Sequence, residues 1–546
     1  MIIDDRGQLQ ERATLIPGKA SPEATSNIAA QHPEWNEAYR SLGTTGLICS
    51  TAGFGTYRVD VRVQAHRAAL AMAIRRGINL IDTSSNYAGG NSERMIGEVL
   101  KGLIGNSTPQ PPPLGRGGGV VREEIIVVSK GGYIQGELFE EIQRRANSAH
   151  ADYSQGSELS ELVRHSQGLW HSIHPDFLRD QLTESLDRLG LETIDVYLLH
   201  NPEYYIQWAL AEGQPEDEVR DEYERRIKKA FTYLESEAAK GRIQYYGISS
   251  NTFPKPEEAV DRTSIEHSWQ SAEEIARELG IDRHHFAVVQ FPLNIFEPGA
   301  VTERNQKRGS ETLIEFCREK GLVVLINRPL NAIAAKQIIR LADYPEREVP
   351  PETDIDDLVH DLKLQEEEFF SRHLATLNLG AQQIDAIKKF LTLGHNLDNG
   401  NWREFASIGE WQDISSTVLA PRIQYVFDLL RPLSKDNQGL FAFLTQYAET
   451  ADEVFEHISN VYGNQAHARS MKIHEALDAL MPEEYHTLSL SQKAILLVRS
   501  VPGVSSVLVG MRSEEYVDDV IYGLQAKPIE NIEEIWNRLA SVKAEA

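Results

Sequence analysis

Two cysteines in 546 residues, Cys49 and Cys317, lie far apart and lack metal-ligand spacing. That argues against a disulfide framework or an iron–sulfur cluster, and no other metal set is expected; buried free thiols are the ordinary reading. Basic charge is scarce as well: 55 Lys and Arg stand against 81 Asp and Glu, a formal net charge of -26 at pH 7, with no Lys/Arg stripe. Nucleic acid is therefore not an expected partner, because phosphate binding needs a basic face. No apolar run reaches membrane length, and the opening stretch MIIDDRGQLQERATL has no apolar h-region. No membrane partner and no secretory signal are expected, and a reducing, cytoplasmic setting is the default. The first strand-to-helix turn also lacks G-x-G-x-x-G, which argues against a Rossmann domain.

What the chain does have is ample core material, 41% hydrophobic residues, and a length that calls for one large domain with insertions or for two domains. Short apolar runs rich in Ile and Val alternate with amphipathic helical stretches. The runs end at Thr51–Tyr57, Ile78–Asp82, Ile125–Lys130, Ile194–His200, Tyr245–Ser249, Phe286–Gln290, Leu322–Ile326 and Ser506–Val509. Eight such runs with helices between them predict an α/β fold, a closed (β/α)8 TIM barrel, rather than an open sheet.

The expected organisation is an N-terminal extension over 1–40, barrel strands one to seven over 41–330, a helical insertion over 331–487, and completion of the barrel by strand eight and a C-terminal helix over 488–546. The insertion thus falls between strand seven and the last barrel helix. It reads either as a lid over the barrel mouth or as a platform for oligomer contact, with the oligomeric state left open. Ser107–Gly119 reads as a Pro/Gly linker, and Gly131–Ile173 as a smaller insertion at the third strand's tip.

In such a barrel the C-terminal strand ends converge on one site. Standing there are Asp82 and Tyr87 at strand two, Lys130 at three, His200 at four, Ser249–Asn251 at five, Gln290 at six, Asn327 and Arg328 at seven, and Gly510–Arg512 at eight. Each alone has an ordinary reading: Asp82 beside Thr83 and Ser84 can be a turn cap, Lys130 a solvated strand end, His200 a satisfied core group. Together, a phenol, an ammonium, a carboxylate and an imidazole form a proton-transfer set. A neighbouring Lys130 ammonium would lower the cost of giving up the Tyr87 proton. His171 and His174 read as capping or surface groups rather than metal ligands.

The residues D-T-S with Tyr87 and Glu93, VVSK closing on Lys130, SLDRLGLETIDVYLLH at Ser185–His200, GISSN at Gly247–Asn251, VVQFPLN at Val288–Asn294, RPL at Arg328–Leu330 and PGVSSVLVGMR at Pro502–Arg512 resemble the signatures of the aldo-keto reductases. The resemblance runs in order through essentially the whole barrel. It implies a soluble NADP(H)-dependent oxidoreductase, with NAD(H) possible, that reduces a small-molecule aldehyde or ketone to an alcohol. By it, Asp82, Tyr87, Lys130 and His200 are catalytic and Tyr87 is the proton donor. Gly55, Thr56, Ser249, Ser250, Asn251, Gln290, Asn327, Arg328, Gly510 and Arg512 are assigned to the cofactor, Ser249 or Ser250 with Asn251 and Gln290 at the carboxamide end and Arg512 at the adenosine-side phosphate. At the seventh strand the family usually carries an aromatic residue that stacks on the nicotinamide, where this chain has Asn327. The alternative expectation is a cofactor-binding regulatory or sensor subunit with little turnover.

Overall fold

The computed structural model describes residues 2–3, 9–10, 15–35, 37–105, 119–334 and 337–545. The linker expected at Ser107–Gly119 falls, except for its last residue, outside them, as does part of the arm expected over 1–40. The chain divides into two compact units, one of residues 1–332 with 491–546 and one of residues 333–490.

The first unit is a closed parallel barrel. Its strands are β1 (Ala52–Gly55), β2 (Leu80–Asp82), β3 (Ile126–Gly131), β4 (Ile194–His200), β5 (Ile243–Ser249), β6 (Phe286–Pro292), β7 (Val323–Asn327) and β8 (Ser506–Val509), each paired with its neighbours in sequence and β8 closing on β1. Around them run α1 (Gln64–Arg75), α2 (Asn91–Gly105), α3 (Pro175–Leu189), α4 (Glu216–Ala239), α5 (Ile265–Leu279), α6 (Leu313–Lys320), α7 (Leu490–Arg499) and α8 (Glu514–Leu524). Each strand is followed by its helix, the pattern that forces parallel pairing. The expected (β/α)8 barrel is thus the observed fold, and the helical insertion enters between β7 and its own helix α7.

The strands are buried along their whole length in β3, β4 and β6, because helices cover one face and the barrel interior fills the other. Leu80, Val128, Leu198, Val288, Leu325 and Leu508 meet inside. A hairpin, Tyr39–Ser41 with Ile48–Ser50, joins that core through Leu42, Leu47 and Cys49. Its turn contacts the strand starts, Thr44 N donating to the Gly321 carbonyl and Tyr245 Oη to the Thr45 carbonyl. It therefore covers the N-terminal end and leaves the opposite, C-terminal tips for chemistry. Gly247 marks the tightest approach of two strands: a Cβ there would lie 1.7 Å from the Val288 carbonyl oxygen, so only glycine fits. Cys49 and Cys317 are buried and free.

The smaller insertion after β3 forms a three-stranded antiparallel sheet from Tyr133–Ile134, Val163–Ser166 and Leu169–His171, with a helix at Gly136–Ala146. The second unit is helical, led by Glu352–Glu368 and the 41-residue Gln438–Asp478. It has a core of its own, in which Trp402, Trp411, Phe369, Leu430 and Tyr447 are buried.

Candidate active site

The ends of β2, β3, β5 and β6 are tied by one chain of side-chain hydrogen bonds. Lys130 Nζ donates to Asp82 Oδ2 at 2.8 Å and to the Thr83 carbonyl at 2.8 Å, and lies 3.4 Å from Tyr87 Oη. Gln290 Nε2 donates to Asp82 Oδ1 at 2.7 Å, and Ser249 Oγ donates to Gln290 Oε1 at 3.1 Å. Lys130 is 0% exposed and Asp82 4%. Burial pushes the Asp82 carboxyl up and the Lys130 ammonium down, and their mutual attraction works against both shifts. Such a pair adds little net stability, but losing one member leaves the other stranded, at a cost of roughly 3–5 kcal/mol. What the arrangement secures is the position of Nζ.

Tyr87 opens a short turn after β2, held by its backbone N–H on the Ser84 carbonyl, and Ala88 follows at φ 49°. The phenol ring packs edge-on against Tyr57 and His200, with centroids at 5.3 and 6.0 Å, and the Lys130 ammonium stands 5.0 Å from the ring centre. Burial, then the charge of Asp82 and the neighbouring Tyr57, hold its pKa well above 10, so the phenol keeps its proton at neutral pH. The expected acidifying pull of Lys130 does not prevail, since that ammonium is already committed to Asp82 and the Thr83 carbonyl.

His200 closes β4. Burial first, then Lys130 and His171, push its pKa well below 6.5, so the imidazole is neutral. Its Nδ1 is 3.0 Å from Ser84 Oγ, which is also 2.7 Å from Asn86 Oδ1. The Lys130 carbonyl lies 3.4 Å from the same hydroxyl, and whether the single Ser84 proton goes to Nδ1 or to one of these oxygens sets which ring nitrogen of His200 carries hydrogen. His171 Nε2 lies 2.7 Å from the His200 carbonyl and must donate to it; burial pushes His171 down to about 4, so it too is neutral. His174 caps α3, accepting from Asp176 N. Among the described residues no group of three or more His, Cys, Asp or Glu could hold a metal ion.

The remaining strand-tip residues divide into two sets. Ser249 and Gln290 belong to the hydrogen-bonded chain above. Gly55 ends β1 opposite Asp82, and the Thr56 hydroxyl donates to the Asp82 carbonyl. The Ser250 hydroxyl is turned onto Thr252 and Thr263, and Asn251 donates its backbone N–H to Glu203 Oε1 at 2.8 Å. Arg328, at φ 53°, pairs with Glu297 at 2.8 Å, while Asn327 Oδ1 is buried with no donor among the described residues. Gly510 faces open space, and Arg512, just before the N-cap Ser513 of α8, bears electrostatically on His66.

Several neighbours of the site escaped the sequence reading. Asn201 Nδ2 donates to Tyr133 Oη at 2.7 Å, Tyr133 Oη donates to Tyr204 Oη at 2.9 Å, and the Tyr133 ring lies 4.5 Å from that of His200. His165 stacks on Tyr204 at 4.2 Å. The available signal was N-P-E-Y directly after His200, an Asn suited to the left-handed turn it adopts at φ 51°. Tyr133 and His165 come from the insertion after β3, where no motif reaches.

The sequence model of the aldo/keto reductase family matches residues 51–345, more than half of the chain. This chain belongs to that family. The aldo/keto reductase chain is 29% identical over 170 residues to the NADH-specific methylglyoxal reductase of Escherichia coli, a stretch covering 29% of this chain and 40% of that protein. It spans under half the length of the curated relatives it matches. Similar solved structures include an aldo-keto reductase from Bacillus halodurans in holo form, at 16% identity and TM-score 0.41 over 92% of this chain and 95% of that one. Another is an aldo/keto reductase from Klebsiella pneumoniae in complex with NADP and acetate, at 14% identity and TM-score 0.38 over 92% and 93%.

Proposed function

We propose that this aldo/keto reductase is an NAD(P)H-dependent oxidoreductase that reduces an aldehyde or ketone to an alcohol, with Tyr87 as proton donor. The observation that carries the reading is the placement of the Tyr87 hydroxyl 3.4 Å from Lys130 Nζ, with Lys130 fixed by Asp82 and the Tyr87 ring against His200. The strand tips suit a dinucleotide. Among the described residues the buried Asn327 carbonyl oxygen has no donor and nothing stands within 4 Å of where a Gly510 Cβ would lie, and Ser249 and Asn251 offer polar groups at β5. Ser249, Asn251 and Asn327 would hold the nicotinamide end, and Arg328, Gly510 and Arg512 the phosphate and adenosine side. A bound NAD(P)H supplies the hydride.

The chain's own part is to place and protonate the carbonyl. His200, neutral and with its Nδ1 accepting from Ser84 Oγ, donates a hydrogen bond to the carbonyl oxygen from Nε2, and holds it near Tyr87. As the carbonyl carbon gains the hydride, the oxygen takes the Tyr87 proton, and the phenolate left behind is stabilised by the Lys130 ammonium. Asp82 acts through Lys130 and is a positioning residue. Gln290 spends both ends of its amide on Ser249 and Asp82, so its role is to orient that carboxylate. Among the described residues no helix is long and apolar enough to cross a membrane, and a small carbonyl compound is the proposed partner.

Purified protein should oxidise NADPH or NADH in the presence of a generic aldehyde such as a nitrobenzaldehyde. Tight dinucleotide binding with no turnover over a broad carbonyl panel would instead favour the regulatory or sensor role. NADPH is the proposed cofactor; a preference for NADH, the cofactor named for the Escherichia coli relative, would correct that choice.

A further inference from the structure

One buried carboxyl group next to the site takes no part in the chemistry above. Glu203 lies three residues after His200, 1% exposed, at the N-cap of the helix Tyr204–Ala211. Its Oε1 accepts the Asn251 backbone N–H at 2.8 Å, while its Oε2 is buried and accepts nothing among the described residues. A second bond ties the same two strand ends, Asn201 N–H to the Ser249 carbonyl at 2.8 Å. Asn251 follows Ser249 and Ser250 at the tip of β5. Glu203 therefore holds the strand end that is offered to the dinucleotide.

We propose that Glu203 is a positioning residue that fixes the β5 tip for cofactor binding through the Asn251 N–H, and that it grips the tip more firmly as the carboxylate than as the acid. This rests on the dinucleotide reading of the strand tips given above. The physical ground is that an N–H bonded to a carboxylate is held more strongly than one bonded to a neutral carbonyl, and a more firmly ordered tip lowers the ordering cost of binding. Full burial with one oxygen unpartnered opposes the charge, and the group is accordingly pushed up to about 7.

The groups facing Glu203 come from several elements. Its own backbone N–H, the Asn251 N–H and the Ser250 hydroxyl favour the carboxylate, and Asp261, in the loop after β5, opposes it. From α4 comes the buried phenol of Tyr223, and from the insertion after β3 that of Tyr133; the Glu203 charge raises the pKa of both. Asp261 is itself paired with Lys255 at 2.6 Å. Both tyrosines stay neutral through this range, so Glu203 is the group of the cluster that changes charge near neutrality.

The test is dinucleotide affinity, by fluorescence titration of the full chain, for wild type and Glu203→Gln between pH 6 and 8. Gln keeps a carbonyl acceptor for Asn251 but cannot ionise, and its own profile subtracts the titration of the dinucleotide phosphate. The ratio of variant to wild-type Kd should be near one at pH 6 and rise to about fivefold at pH 8, the difference between a charged and a neutral acceptor. Binding by both proteins with a ratio flat across the range would overturn the assignment while leaving the dinucleotide reading intact. Absence of dinucleotide binding by wild type at every pH would overturn both. If Glu203→Gln does not fold, wild-type titrations with NADH, which lacks the 2′-phosphate, decide: affinity that tightens through about pH 7 supports the proposal, and a level profile overturns it.

Discussion

Glu203 in the barrel and Glu366 in the helical unit are both wholly buried glutamates, and the fold treats them in opposite ways. Glu366 Oε1 accepts from Gly394 N and Tyr447 Oη, each at 2.8 Å, and its Oε2 from His395 N at 3.2 Å and Nδ1 at 2.6 Å. It pins the helix Glu352–Glu368 to Leu393–Leu397, where Gly394 packs so close that a Cβ would lie 2.3 Å from Lys363 N. Glu203 has one backbone N–H from another residue, on Oε1, and among the described residues its Oε2 has no partner. The difference teaches how a fold distributes charge. Where a buried carboxylate only has to hold helices together, every acceptor is filled; beside the strand tips, hydrogen-bonding capacity is left unspent, as it is at Asn327.

The comparison can be sharpened experimentally, beginning where the barrel is most committed. Tyr87→Phe should lower kcat by at least about a hundredfold, the usual worth of a general acid, with dinucleotide affinity largely kept; a modest loss of turnover would mean that the proton comes from elsewhere. Glu366→Ala strands the buried donors of Gly394 and Tyr447 and frees the two of the more exposed His395, and should lower the stability of the helical unit by about 3 kcal/mol or more in urea denaturation. A change under about 1 kcal/mol would show that water replaces the carboxylate and would remove the contrast with Glu203.

Arg512→Ala should raise KM for NADPH about tenfold more than KM for NADH, since only NADPH carries the extra phosphate that a guanidinium grips. Equal effects on both would sink the phosphate assignment. Smallest is the effect of Glu203→Gln on cofactor-free stability. Because the folded carboxyl titrates at about 7 against 4.5 in its unperturbed form, its favourable contribution is fully present below pH 4.5 and is lost as pH rises through 7. The variant should thus melt at the wild-type temperature or below in acid, and about 2 °C above it at pH 8. A difference that does not change with pH would show that the Glu203 carboxyl titrates no higher in the folded chain than in the unfolded one. Beyond single residues, deletion of 354–484 should leave a barrel that still binds dinucleotide. Altered substrate kinetics would support the lid and an altered oligomer size the platform.

Much of the site is legible in the sequence. An apolar run that stops at Asp82, Lys130 or His200 announces a strand with a polar end, because parallel barrel strands are apolar throughout except where they reach the mouth. Ser249 and Ser250 could not be told apart in that way. Adjacent strand residues face opposite sides, and only the pairing register, Ser249 beside Gln290, turns one hydroxyl toward Asp82's partners and the other onto Thr252 and Thr263. Tyr133 and His165 were invisible because insertions carry no periodicity that says which strand tip they return to.

The sequence by itself determined the barrel, the order of its strands and the residue types standing at their ends, since these follow from local alternation of apolar runs and amphipathic helices. The tertiary structure alone decided protonation and engagement: a Tyr87 phenol that keeps its proton, a neutral His200, a Gln290 spent on Asp82, and a Glu203 poised near neutrality. Those properties are sums of burial and charge over residues from distant parts of the chain, and no stretch of sequence contains the terms of such a sum.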